Sequence, residues 1–231
     1  MSFCVYSGEK PEIKGVLFDM DGLVLDTEKL YTRFWMEAAR DLGFPMTKEQ
    51  ALGLRSLGGM DGQRKLWAYF GESADYNAIR GRRIVLMDAY IAQYGVEAKP
   101  GIRELLAFLR EKGIRCAITS SSSLEVIRQH LGTLGLAEEF DALCSGKDVP
   151  HGKPAPDIYL HGAQVLGLKP EDCLALEDSP AGIESAYRAG CHPVLIPDQD
   201  VPGEETLGRL YAKCDSLLDV IELVNWGLSY P

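Results

Sequence analysis

Two aspartates, Asp19 and Asp21, follow a short apolar run that ends at Phe18, and Gly22 comes directly after them. Ligands of open α/β sheets bind outside the carboxyl ends of the strands, so carboxylates at such a strand end are well placed for chemistry. Asp19 could attack phosphorus as a carboxylate nucleophile, and Asp21 could exchange a proton with the leaving group and then with water. An acidic turn that merely ends a strand is an equally good interpretation of this motif alone.

A run of serines, from Ser120 to Ser123, follows the second apolar run and precedes a helical pattern. Hydroxyls and backbone N–H groups at a strand end and a helix N-terminus can hold a phosphate. Simple helix capping is the alternative for Ser122 and Ser123. Ser120, which is nearest the strand, and the adjacent Ser121 are the predicted phosphate-binding residues.

A lysine and a second acid pair complete the set of polar candidates. Lys153 lies between a glycine and a proline, where it could neutralise the charge of a nucleophile and a phosphoryl group together. Glu177 and Asp178 end another apolar run, and with Asp19 they could form an all-oxygen site for Mg²⁺. A solvated loop lysine and helix capping by Asp178 are the plain alternatives, and the nearby His151 is interpreted as a surface residue.

Alternating strand and helix patterns position these residues. Five short runs are almost continuously apolar, which is typical of parallel strands covered on both faces: 15–19, 115–120, 142–144, 173–177 and 193–196. Four helical patterns lie between or after them: 102–112, 124–134, 155–166 and 180–189. The alternation predicts a doubly wound, Rossmann-like α/β core with a parallel sheet.

One long segment interrupts the alternation with helical patterns only. These are predicted at 27–42, 61–70 and 77–94, and the last carries Ile84, Met87, Ile91 and Tyr94 at helical spacing as its predicted packing face. About 70 helical residues between two strands of one sheet are typical of an inserted domain. We therefore expect a core domain of residues 1–26 and 98–231 and a helical cap domain of residues 27–97.

Composition limits the classes of partner. Lys and Arg number 24 against 34 Asp and Glu, which gives a net charge of −10 and disfavours nucleic acid. No run of 18 apolar residues is present, so no membrane segment is predicted. The six cysteines are dispersed, which disfavours a zinc site and suits a reducing compartment. We expect a cytoplasmic monomer that acts on a small molecule.

The ordered set of motifs resembles the haloacid dehalogenase superfamily, and within it the branch of β-phosphoglucomutase and small sugar-phosphate phosphatases. The segments that carry the resemblance are GVLFDMDGLVLDTE, AITSSSS, GKPAPDIYLHGAQVLG and LALEDSPAGIESAYRAG, and it spans residues 13–197. The resemblance implies that Asp19 is the nucleophile and Asp21 the acid–base. It also implies that Asp19, the backbone carbonyl of Asp21, and Asp178 ligate Mg²⁺, with Glu177 beside them.

The same resemblance implies that Ser120 and Lys153 hold the phosphate of a small phosphorylated metabolite. It places a helical cap after the first motif, where the insert is predicted. The segment 54–59 is similar to the specificity loop of this cap, and Arg55 could clamp a distal anionic or hydroxylated group. An exposed arginine at a helix end is the alternative for Arg55.

Two positions separate the relatives within this resemblance. Dehalogenases lack the second acid of the first motif, so Asp21 disfavours dehalogenation. The mutases carry a histidine early in the first cap helix, where this chain has Tyr31. We therefore expect a Mg²⁺-dependent phosphatase with an aspartyl-phosphate intermediate, and a hexose-phosphate mutase is the alternative. A phospho-accepting receiver and a non-catalytic binding protein are the alternatives from other classes, and the full motif set disfavours both.

Overall fold

The computed structural model of the chain describes residues 3–7, 10–54, 57, 59–197 and 203–228. The chain forms two compact units. One unit consists of Met1–Asp26 and Glu97–Pro231, and the other of Thr27–Val96. The cap role predicted for residues 27–97 stays a prediction, so we refer to the two as the sheet unit and the helical unit. No helix among the described residues combines the length and apolarity needed to cross a bilayer.

A seven-stranded sheet in the described part of the chain organises the sheet unit, in the order β1-β7-β6-β5-β2-β3-β4. The strands are β1 (Phe3–Val5), β2 (Gly15–Phe18), β3 (Arg115–Ser120), β4 (Ala142–Ser145), β5 (Cys173–Glu177), β6 (His192–Leu195) and β7 (Ala212–Cys214). β2 lies between β5 and β3, and all its residues are buried. The acidic turn after β2 therefore starts near the middle of the sheet.

Helices follow most of the strands. In the sheet unit they are α5 (Ile102–Glu111), α6 (Leu124–Thr133), α7 (Asp157–Val165), α8 (Pro180–Ala189), α9 (Glu204–Leu207) and α10 (Leu217–Leu228). The pairs β2–β3, β3–β4, β2–β5, β5–β6 and β6–β7 are all parallel. The prediction of a doubly wound α/β core is confirmed.

The sheet extends beyond the predicted strands at one side, where β1 pairs antiparallel with β7. Both strands have only three residues, and none of the residues of β1 is fully buried, so neither strand shows a detectable apolar period. The helix predicted at 155–166 begins later, at Asp157. Ala155 precedes Pro156, and a residue before proline is driven away from helical backbone angles.

The helical unit contains α1 (Glu28–Asp41), α2 (Lys48–Leu52), α3 (Gly59–Phe70) and α4 (Tyr76–Tyr94). Asp75 caps α4, because its carboxylate accepts hydrogen bonds from the backbone N–H groups of the first turn. The short α2, which has a capping box at its start, was not predicted.

The packing face predicted for α4 is partly wrong. Met87 and Ile91 are buried as expected, but Ile84 is 37% and Tyr94 66% exposed. The buried stripe runs instead through Ile79 and the charged Arg83. Apolar residues occur on several sides of α4, and a face that includes an arginine is not recognisable by apolar spacing alone.

Candidate active site

Three strands bring the predicted site residues to the side of the sheet where the parallel strands have their carboxyl ends, which we call the sheet edge. Asp19 follows β2, Ser120 ends β3 and Glu177 ends β5, and the strands are hydrogen-bonded neighbours in the order β5-β2-β3. The pairing aligns Phe18 with both Ile118 and Leu176, so the three strands reach this edge together. Thr119 strengthens the alignment by donating its hydroxyl to the Phe18 carbonyl at 3.1 Å.

Lys153 connects two carboxylates at this edge. Its Nζ donates to Asp19 Oδ1 at 2.5 Å and to Glu177 Oε1 at 2.6 Å. The side chains of Lys153, Asp19 and Glu177 are 9%, 14% and 0% exposed. Buried charges are stable only when they are paired and hydrogen-bonded, so this lysine is a structural partner of both acids. The alternative of a solvated loop lysine is therefore excluded by the geometry.

Burial and charge shift the protonation of this cluster. Burial is the main reason that the pKa of Asp19 is raised to about 7; Glu177 and Asp21 act in the same direction, and Lys153 opposes them. Burial lowers the pKa of Lys153, but the carboxylates of Asp19 and Glu177 outweigh it and hold this pKa well above its usual value. The ammonium form of Lys153 is thus fixed, while the charge of Asp19 depends on the cations around it.

Glu177 accepts hydrogen bonds at both of its carboxylate oxygens. Oε1 accepts from the Tyr159 hydroxyl at 2.5 Å as well as from Lys153, and Oε2 accepts from the Ser179 hydroxyl at 3.0 Å. Ser179 is also the N-cap of α8, and its Oγ accepts from the Gly182 N–H at 3.1 Å. The carboxylate therefore lies against the N-terminus of α8, where the helix dipole stabilises negative charge.

Gly182 makes this position possible. A Cβ at residue 182 would lie 1.8 Å from the Glu177 carboxylate carbon and from Oε1. No rotamer of a larger residue could coexist with the observed Glu177 side chain at this separation. The glycine is therefore required by a close side-chain approach within the helix, rather than by a turn.

The acids of this edge offer a site for a divalent cation. Asp19, Glu177 and Asp178 each place one carboxylate oxygen within 4.8 Å of the others. An all-oxygen set of this kind suits Mg²⁺. Glu177 also accepts hydrogen bonds from Lys153, Tyr159 and Ser179, so its carboxylate is held in place at this site.

The serine run meets the same edge next to β2. Ser120 is buried, and its Oγ accepts a hydrogen bond from the Ser122 N–H at 3.1 Å. Ser121 is exposed, and Ser123 caps α6 through Val126 N–H. The phosphate-binding role of Ser120 and Ser121 stays a prediction, whereas the capping alternative holds for Ser123.

Comparison with known proteins identifies the fold family. Residues 13–190 match the family model of haloacid dehalogenase-like hydrolases. The chain belongs to this family. The predicted resemblance is therefore confirmed, and so is the prediction that the chain is a hydrolase of this class.

Two curated relatives and one solved structure illustrate the similarity. Hexitol phosphatase A of Escherichia coli is 35% identical over 79% of this chain and 82% of its own length. A phosphatase of phosphorylated carbohydrates from Thermotoga maritima is 31% identical over 77% of this chain and 82% of its own. The crystal structure of a CbbY variant from Rhodobacter sphaeroides in complex with xylulose 1,5-bisphosphate has a TM-score of 0.73 and 28% identity, and the match covers 90% of this chain and 96% of that one.

Three other residues were singled out in the sequence of this haloacid dehalogenase-like chain: Asp21, His151 and Arg55. Asp21 follows Asp19 by two residues, and its turn is closed by a hydrogen bond from Gly22 N–H to the Leu25 carbonyl at 3.0 Å. His151 is a surface residue, as expected, and its side chain contacts Asp157. Arg55 lies outside the described residues.

Sequence reasoning missed two residues of the site, Tyr159 and Gly182. Tyr159 lies in α7, and its hydroxyl contacts Glu177, which is 18 residues further along the chain. Its type and spacing are those of an ordinary core residue. Gly182 carried a usable signal, because a glycine in the first turn of a helix directly after an acid pair has a poor helix propensity and needs a packing reason.

Proposed function

We propose that the chain is a Mg²⁺-dependent hydrolase of small phosphate monoesters that uses an aspartyl-phosphate intermediate on Asp19. The observation that carries the proposal is the bridge from Lys153 to Asp19 and Glu177. Asp178 lies close enough to both acids for one Mg²⁺ ion to bind among them. This arrangement supplies a nucleophilic carboxylate, a fixed positive charge and an all-oxygen cation site at one sheet edge. These are the parts that phosphoryl transfer requires.

In the first half-reaction, an Asp19 carboxylate oxygen attacks the phosphorus and the ester P–O bond breaks. Asp21 gives a proton to the departing oxygen, so the dephosphorylated alcohol leaves neutral. In the second half-reaction Asp21 accepts a proton from water, and the water oxygen attacks phosphorus. The bond between phosphorus and Asp19 breaks, which releases inorganic phosphate and restores the carboxylate.

Lys153 acts in both half-reactions through its fixed charge. Two of the three N–H donors of its ammonium are occupied by Asp19 and Glu177, which leaves one for a phosphoryl oxygen. A preorganised cation in a buried site stabilises developing negative charge without reorganisation at the moment of reaction. Mg²⁺, when bound by Asp19, Asp178 and the Asp21 carbonyl, would neutralise further charge on the phosphoryl group.

We infer a phosphorylated sugar or sugar alcohol as the substrate class. The support comes from the relatives: one is named a hexitol phosphatase, another a phosphatase of phosphorylated carbohydrates, and a similar structure contains a sugar bisphosphate. The test is a panel of hexose, pentose and hexitol phosphates, with released phosphate measured in Mg²⁺ and in excess chelator. Activity that persists in chelator, or that only zinc restores, would contradict the Mg²⁺ assignment.

The mutase alternative depends on Tyr31, the position where the mutases carry a histidine. In the helical unit the guanidinium of Arg83 lies over the Tyr31 ring, 4.3 Å from its centroid. A phenol stays protonated near neutrality, so it does not exchange its proton there as an imidazole does. We therefore expect water, rather than a sugar hydroxyl, to attack the phospho-enzyme.

The two activities are separated by one incubation with β-glucose 1-phosphate, Mg²⁺ and a trace of the bisphosphate. A hydrolase releases one phosphate for each glucose 1-phosphate consumed and accumulates glucose. Rapid formation of glucose 6-phosphate with little free phosphate would replace the hydrolase proposal with the mutase.

A further inference from the structure

The second contact of the Glu177 carboxylate is with Tyr159, which is the largest fully buried side chain among the described residues. Its hydroxyl donates to Glu177 Oε1 at 2.5 Å, and Lys153 Nζ donates to the same oxygen at 2.6 Å. Lys153 Nζ also lies 5.1 Å from the centroid of the Tyr159 ring. Tyr159 therefore touches both groups that hold the candidate nucleophile in place.

The position of Tyr159 is fixed from outside the site. It is in the first turn of α7, and its ring packs in a hydrophobic cluster with Leu17, Ala175 and Ile158. The loop that carries Lys153 is tied to α8, because the Ser185 hydroxyl donates to the Ala155 carbonyl at 2.5 Å. Helix α7 and the lysine loop thus place one neutral donor and one charged donor on a single carboxylate oxygen.

This neutral donor decides which way the Glu177 carboxylate faces. Oε1 accepts hydrogen bonds from Lys153 and Tyr159, whereas Oε2 accepts from the N–H and hydroxyl groups of Ser179. In this orientation Glu177, Asp19 and Asp178 each place one carboxylate oxygen within 4.8 Å of the others, and loss of the Tyr159 donor would let the Glu177 carboxylate turn out of it. Turning would draw Lys153 away from Asp19 Oδ1, since the lysine bridges the two acids.

We propose that Tyr159 is a positioning residue for the phosphoryl-transfer site: its hydroxyl fixes Glu177, and through Glu177 it fixes Lys153 against Asp19. The inference rests on the proposed hydrolase function. It assigns to Glu177 the role of holding Lys153 in place. The phenol itself exchanges no proton during turnover and contacts no substrate.

The first test is Tyr159→Phe, which removes the hydroxyl and keeps the ring. We expect kcat to fall roughly 10-fold while KM changes less than about 2-fold. A misplaced Lys153 weakens stabilisation of the transition state more than it weakens substrate binding. The affinity for vanadate, a mimic of the pentacoordinate transition state, should fall by the same factor as kcat. The affinity for inorganic phosphate should be unchanged.

Tyr76→Phe is the matched control. Tyr76 is 3% exposed and donates its hydroxyl to the Leu57 carbonyl at 2.7 Å within the helical unit. Both variants lose one buried hydroxyl and one hydrogen bond, so both should lose comparable thermal stability. A merely structural role would give both variants the kinetics of the wild type at temperatures well below unfolding, and that result would overturn the proposal.

A second variant keeps the proposal testable if Tyr159→Phe does not fold. Ser179→Ala removes the hydroxyl donor to the opposite oxygen, Oε2, and should lower kcat with little change in KM. Wild-type kcat in Ser179→Ala would show that the orientation of Glu177 does not govern turnover, and that result would overturn the proposal. A wild-type protein that releases no phosphate from any substrate would instead refute the proposed function, so the two failures are distinguishable.

Discussion

The sheet unit and the helical unit treat a buried cation differently. At the sheet edge Lys153 is 9% exposed and bridges the carboxylates of Asp19 and Glu177. In the helical unit Arg83 is 7% exposed, but its Nε has no hydrogen-bond partner among the described residues. Its guanidinium stacks instead on the rings of Tyr31 and Trp35, at 4.3 and 5.3 Å from their centroids.

The difference shows where the chain has organised charge for chemistry. Two short hydrogen bonds to carboxylates fix both the position and the direction of the Lys153 ammonium group. Phosphoryl transfer requires a charge that is placed in this way. Arg83 is stabilised by aromatic faces, which tolerate small displacements and impose no hydrogen-bond direction. The sheet edge is therefore preorganised, and the following changes should damage it far more than equivalent changes in the helical unit.

The largest expected effect is that of Asp19→Asn. An amide cannot attack phosphorus, and the substitution is nearly isosteric, so phosphate release should fall by about 1000-fold or more with the fold intact. The measurement is released phosphate from purified variant and wild type, with circular dichroism as a control for folding. Turnover near that of the wild type would refute Asp19 as the nucleophile.

Gly182→Ala should have the next largest effect on turnover. The added Cβ would lie 1.8 Å from the Glu177 carboxylate, so Glu177 must leave its place and Lys153 must follow. We expect kcat to fall on the order of 100-fold, comparable to misplacement of a catalytic group by an ångström. Steady-state kinetics with the variant measure this change.

Gly132→Ala is the control for the glycine change. Gly132 lies in α6, and a Cβ there would meet nothing within 4 Å. Alanine at this exposed position in the last turn of α6 should leave the fold at least as stable and kcat unchanged. Equal kinetics for Gly182→Ala and Gly132→Ala would show that the position of Glu177 does not matter for turnover.

Removal of each buried cation tests the comparison directly. Lys153→Met leaves two buried carboxylates without their partner, so in chelator at neutral pH the free energy of unfolding should fall by about 3–5 kcal/mol. Arg83→Met exchanges a stacked cation for an apolar chain, and we expect a change below about 1 kcal/mol. Urea unfolding of both variants gives the two values. Equal losses would mean that the two cations are held alike.

Much of this comparison was accessible from the sequence. Asp19, Lys153 and Glu177 were predicted because each follows or lies near a strand end, and parallel strands bring their carboxyl ends to one edge. The hydrogen-bond partners of Glu177 were not predicted. The contact between Tyr159 on α7 and the end of β5 depends on tertiary packing, which the spacing of residues in the sequence does not reveal.

The helical unit was predicted less well for a related reason. The packing face of α4 was assigned to Ile84, Met87, Ile91 and Tyr94. Met87 and Ile91 are buried, but Ile84 and Tyr94 are exposed and the buried face includes Arg83 instead. A cation buried against aromatic rings looks like a surface residue in a sequence. Short edge strands such as β1 were missed because three residues cannot establish a period.

The buried carboxyl of Asp19 should also make stability in chelator depend on pH. The pKa of Asp19 is raised from 3.8 to about 7 in the folded chain, mainly by burial, so the folded state binds this proton more tightly than the unfolded state does. The stabilising contribution is fully present below pH 3.8 and is lost as the pH rises through about 7.

Compared with Asp19→Asn, the wild type should therefore lose stability between pH 5 and 8, on the order of 1–4 kcal/mol. Urea unfolding of both proteins at the two pH values measures the difference. A difference in unfolding free energy that does not change with pH would contradict the raised pKa.

The most direct test of the central claim is to trap the phosphoryl group. Asp21→Asn should slow hydrolysis of the intermediate more than its formation, because Asp21 is the proposed base for the attacking water. The variant is mixed with Mg²⁺ and a sugar phosphate that the wild type hydrolyses, and the reaction is quenched rapidly in acid. Peptide mass spectrometry then shows which residue carries the phosphoryl group. The account predicts phosphate on Asp19; phosphate on any other residue, or direct release with none on the protein during burst-phase turnover, would contradict it.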